Sequence, residues 1–86
     1  MRYILEIYDA GGDFAAKDEA LAHYEVNQPF MAFNVGDIMH PIGWDPAVVG
    51  PDHEFVIEGV EHIVHNINQP THQILVYVKL QNPRDK

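Results

Sequence analysis

Phe55-Val56-Ile57-Glu58-Gly59-Val60-Glu61-His62-Ile63-Val64-His65, with its return Gln73-Ile74-Leu75-Val76-Tyr77-Val78-Lys79-Leu80, is the stretch that decides the fold. β-branched and aromatic residues crowd both arms, the composition of pleated strands. On the return arm Ile74, Val76, Val78 and Leu80 share one face by the two-residue period of a strand. The segment between them, Asn66-Ile67-Asn68-Gln69-Pro70-Thr71, holds turn-forming residues. Residues 53–65 and 72–80 are therefore expected to pair as an antiparallel hairpin. Gly59, inside the longer arm, marks a bulge or a bend.

Working outward, Arg2-Tyr3-Ile4-Leu5-Glu6-Ile7-Tyr8 reads as a first strand, closed by the turn Asp9-Ala10-Gly11-Gly12-Asp13. Asp13 is a good helix N-cap, and Phe14-Ala15-Ala16-Lys17-Asp18-Glu19-Ala20-Leu21-Ala22 carries four alanines. That predicts one short helix lying on the sheet through Phe14 and Leu21. Residues 23–28 alternate Tyr24 and Val26 with polar neighbours and fit a short strand. Phe30 to Val35 reads as another, turned by Gly36-Asp37 into residues 38–42. Glycine accepts a positive φ at such a corner, and Asp37 can bond back to nearby amides. The expected fold is mostly β, of the α+β class. It is a small five-stranded antiparallel, partly open barrel with one short helix after the first strand. One domain covers residues 1–80, and residues 81–86 form a polar tail. An open antiparallel sheet with the helix across it is the second architecture that fits.

The Val35-Gly36-Asp37 corner and the final hairpin resemble small SH3-like or PUA/ASCH-like barrels in architecture. The resemblance implies a curled sheet. The chain lacks the basic and aromatic nucleic-acid surface that the PUA/ASCH type suggests.

Composition limits the chemistry. The 86 residues hold no cysteine, no serine and one threonine, Thr71 in the turn. Disulfides, thiolate metal sites, cysteine nucleophiles and a Ser-His-Asp triad are excluded. Thirteen acids against five bases give a net charge of −8. The five bases form no run or stripe, so neither a phosphate backbone nor an anionic membrane is an expected partner. An acid at Glu6 interrupts any signal-peptide-like start, and the longest apolar run, Ile74 to Val78, is far too short for a membrane helix. A soluble, cytoplasmic protein is the expectation.

Three sets of residues stand out. Trp44, Val48 and Val49 sit in the long segment 43–53, between prolines and glycines. That loop either caps the core or presents a binding hot spot. The six histidines include His62, His65 and His72 around the hairpin turn. On a strand His62 and His65 point to opposite faces, so His65 with His72 and Glu61 is the metal geometry the spacing favours, with His62 as a further candidate. The Asp9–Asp13 glycine turn is too acidic to cradle phosphate. A small acidic binding module follows, contacting a protein partner or a second copy through the Trp44 loop or an edge strand, the first or the last. No cofactor is expected. The alternatives are a small metal- or His/carboxylate-dependent enzyme using the hairpin histidines, with a divalent cation, and a nucleic-acid-binding barrel, which the charge opposes.

Overall fold

The computed structural model describes residues 1–12, 19–41 and 53–81. Five strands run in the order β1 (Arg2–Asp9), β2 (Ala20–Val26), β3 (Ile38–Met39), β4 (Glu54–His65) and β5 (Thr71–Gln81). They form one sheet in the order β2-β1-β5-β4-β3, curled into a half-barrel. The long hairpin is present. β4 and β5 pair antiparallel over nearly their whole lengths, and β5 continues one residue past the expected end, through Gln81.

Two expectations give way. The sheet is mixed, because β1 lies parallel to β5, with Leu5 beside Ile74 and Ile7 beside Val76. That pairing sets apolar residues of both strands on one buried face. It also places the first and last strands in the centre of the sheet, so neither is an edge. The parallel pair departs from the all-antiparallel arrangement expected of an SH3-like or PUA-like barrel. The second correction concerns the helix. Ala20, Leu21 and Ala22 belong to strand β2, which pairs antiparallel with β1, Ile7 facing Ala22. Alanine content favoured a helix, but the unpaired edge of β1 and burial of Leu21 outweigh that propensity. Among the described residues no helix occurs. The remainder of the expected helix, residues 13–18, lies outside them, as do Trp44, Val48, Val49 and the tail 82–86.

The core sits on one face: Leu5 and Ile7 of β1, Leu21 of β2, Phe55 and Ile57 of β4, and Ile74, Val76 and Val78 of β5. Phe30 and Phe33 pack against it with their rings 6.5 Å apart, although their segment is irregular and not the strand expected there. Pro29 leads into this stretch, and β3 is correspondingly reduced to Ile38–Met39.

The local devices read from the sequence are present. Gly36 has φ +98°, and the Asn34 amide donates to Asp37 Oδ2 at 3.1 Å. The corner is tied to β4 by Gly36 N–H to Ile57 O and Ile57 N–H to Asp37 O, both 2.9 Å. At Gly59 the register of β4 against β5 shifts, a bulge that leaves Glu58 exposed. Asn68 takes φ +70° in the hairpin turn, a left-handed position that asparagine tolerates. Among the described residues no helix is long and apolar enough to cross a membrane.

Candidate functional site

Directly opposed residues in a sheet point to the same side, so the register assigns every polar group to one of two faces. The core face continues past Ile74 toward the hairpin turn through His62, Val64 and His72, and through Tyr3 beside His72 on β1. The opposite, polar face carries Glu6 and Tyr8 of β1, His23 and Glu25 of β2, Gln73 and Tyr77 of β5, and Glu61, Ile63 and His65 of β4.

On the polar face Glu6 is the hub. Its carboxylate accepts from Gln73 Nε2 at 2.8 Å and from the Tyr8 hydroxyl at 3.0 Å, and it lies 2.9 Å from His23 Nδ1. Partial burial pushes the Glu6 pKa up, but the bonds from His23, Tyr8 and Gln73 outweigh it and hold the carboxyl below its ordinary value. Tyr8 stacks on Tyr77, ring centroids 5.9 Å apart, and the Tyr77 hydroxyl donates to Glu61 at 2.8 Å. That bond to a carboxylate, together with some burial, raises the Tyr77 pKa. Where the start of β1 meets the end of β2, Arg2 pairs with Glu25, which holds the Glu25 carboxyl down. These groups satisfy one another and converge on no unpaired nucleophile. A depression of about 540 Å³ is lined by Met1, Arg2, Glu25, Val26, Asn27 and Gln69, and the Arg2–Glu25 ion pair forms part of its wall.

The hairpin histidines divide between the faces. His62 and His72 come together on the core face, His62 Nδ1 2.9 Å from His72 Nε2, with their rings stacked at 5.1 Å. Tyr3 meets His72 edge-on at 6.1 Å. Glu61 and His65 stand on the polar face, and His65 is opposite Thr71 while Val64 is opposite His72. The expected His65–His72 juxtaposition with Glu61 therefore does not form. A register displaced by one residue moves each side chain to the other face. Among the described residues no group of three or more His, Cys, Asp or Glu side chains could hold a metal ion. Sequence reading missed Glu6, His23 and Gln73 as a cluster. Glu6 meets His23 and Gln73 only because β1 lies between β2 and β5. The available signal was an acid between Leu5 and Ile7, on the side of the strand that the core does not use.

The edges are the other feature. β3 covers β4 only at Phe55 and Val56, with the corner reaching Ile57. Beyond the bulge, from Val60 to His65, β4 has no strand on its outer side among the described residues. Exposed apolar side chains lie in this stretch and just beyond it: Ile63 at 39% and Val64 at 70% of their full surface within it, and Ile67 at 70% in the turn that follows. β2 is the other edge, also without an outer neighbour among the described residues. Glu61 Oε1 is occupied by Tyr77. The Ile67 amide donates to His65 Nδ1 at 3.3 Å, which in a neutral ring leaves Nε2 as the protonated donor. No family model, no curated protein and no solved structure matches this chain.

Proposed function

We propose that this chain is a small binding module that joins a second copy of itself through the outer edge of β4. The observation that carries this reading is the uncovered stretch from Val60 to His65, a row of backbone donors and acceptors beside exposed Ile63 and Val64. Two antiparallel copies of one strand are related by a two-fold axis normal to the sheet. Opposed residues must then come from the same face. Centring the axis on Glu61 would oppose two carboxylates. Centring it on Ile63 opposes the two isoleucines and sets Glu61 against His65 of the second copy, twice. The second carboxylate oxygen of Glu61 then meets the His65 Nε2–H. The order of acceptor and donor along this edge, Glu61 and His65, is thus self-complementary, which favours a second copy over a foreign strand.

The β2 edge has a similar alternation, His23 and Glu25 about Tyr24, but those charges already have partners in Glu6 and Arg2. Glu61 and His65 each use one side-chain atom, in bonds with Tyr77 and the Ile67 amide, and form no ion pair among the described residues. The bulge and Glu58 blunt the proximal half of the β4 edge and confine pairing to the distal half. The proposed setting is that of a soluble, cytoplasmic protein, and its net charge of −8 opposes association in general, so that only a complementary contact brings two copies together. Sedimentation velocity over a hundredfold concentration range tests the proposal. A mass rising from monomer to dimer supports it, and a constant monomer mass at every concentration contradicts it.

A further inference from the structure

We infer that His62 and His72 form a cross-strand chelating site for a borderline first-row divalent cation, with a fit for nickel or copper. Imidazole nitrogens are the ligand class such ions prefer. Two metal–nitrogen bonds of about 2.0–2.1 Å set the nitrogens about 2.9 Å apart when they meet at a right angle, and about 3.4 Å apart at a tetrahedral angle. His62 Nδ1 and His72 Nε2 are 2.9 Å apart. That spacing is the hydrogen bond of the free chain, and it lies close to the separation of two adjacent positions of a tetragonal ion, the geometry of Cu(II) and Ni(II).

The pair is placed by backbone more than by side-chain chance. His62 is opposite Ile74 and His72 opposite Val64, so the two imidazoles are diagonal neighbours on one face of the longest ladder in the sheet. Tyr3 packs edge-on against His72 and limits its ring rotation. A bound cation replaces the N–H···N bond between the rings, and the proton of that bond moves to the other nitrogen of its own ring. Each neutral imidazole thereby presents a lone pair to the metal. Water completes the coordination, since Glu61 and His65 point to the opposite face. The excess of acids over bases draws cations toward the chain. This site does not rest on the β4 edge contact: both ligands belong to one copy and lie on the core face.

Nickel chloride titrated into the full chain tests the inference. Imidazole proton resonances report which rings are broadened by the paramagnetic ion, and calorimetry reports affinity. We expect one ion per chain and the His62 and His72 signals to broaden first. Loss of one arm of a chelate removes the effective-concentration gain of the second, so His62→Gln or His72→Gln should weaken binding by roughly tenfold or more. His65→Gln and His23→Gln should change it less than about twofold. Both tested side chains are hydrogen-bonded to each other near the surface, and thermal midpoints without nickel check that the variants fold. First broadening at another histidine, or equal losses from His65→Gln and His62→Gln, overturns the site. Sedimentation of the same samples keeps this outcome separate from dimerisation.

Discussion

Replacing Ile63 by lysine probes the edge contact at its two-fold centre. In the single chain Ile63 keeps 39% of its surface exposed, on the polar face. Fully burying an isoleucine side chain is worth about 1.5–3 kcal/mol. Covering the remaining two-fifths therefore supplies about 0.6–1.2 kcal/mol per copy, or about 1–2 kcal/mol for the two that meet at the axis. Lysine forfeits this and opposes two ammonium groups, a like-charge contact that is itself unfavourable across a strand pair. The combined loss is about 2 kcal/mol, or roughly thirtyfold in the dissociation constant. In the single chain the lysine stem can lie along the surface with its charge in water, so folding should suffer little. The assay is sedimentation velocity of both proteins across concentration, with thermal midpoints at low concentration as the folding control. At concentrations where the native chain is half dimeric, Ile63→Lys should be nearly all monomer. If it associates as the native chain does, while Tyr24→Lys on the β2 edge abolishes association, the placement on β4 is refuted.

Other consequences follow from the core and the polar face. Phe55 is fully buried where β4 meets β5 and β3, and Phe55→Ala should cost about 3–5 kcal/mol, a large fraction of what a small domain has. A denaturant midpoint within about 1 kcal/mol of the native one would remove Phe55 from the core account. Glu6 is held below the ordinary carboxylate pKa, so the folded chain binds that proton less readily than the unfolded chain. Its stabilisation is complete above the ordinary glutamate pKa and is lost as the pH falls below that through the lower folded value. Thermal midpoints measured from neutral pH into acid should therefore fall less steeply for Glu6→Gln than for the native chain, and equal slopes would contradict the role of Glu6.

Local signals in the sequence survive into the structure where they are backbone chemistry. Gly36 takes its positive φ, Asp37 bonds back to Asn34, Gly59 marks a bulge, and β4 and β5 pair as a hairpin. What pattern alone could not supply was the pairing of distant strands. Nothing in Arg2–Asp9 states that it will lie parallel to β5, yet that pairing makes the sheet mixed and moves the edges to β2 and β3. Alanine propensity misled at Ala20–Ala22 because one buried leucine and a free β1 edge carry more free energy than helix preference. The histidines show the same division. Their alternation was readable, so His62 and His65 separate as expected, but the partner of His72 depended on a register that the turn sets. A displacement of one residue exchanges His65 for His62.

The most direct measurement uses the absence of cysteine. Ile63→Cys supplies a single thiol per chain. Directly opposed residues of an antiparallel pair have Cα atoms about 4.5–5.5 Å apart. That interval lies inside the span of about 4.4–6.8 Å that a disulfide bridges. Under mild oxidation at low protein concentration, Ile63→Cys should form a covalent dimer rapidly and nearly completely, and Tyr24→Cys should remain monomeric. Rapid cross-linking at position 24, or equally slow cross-linking at both positions, would contradict an interface centred on Ile63.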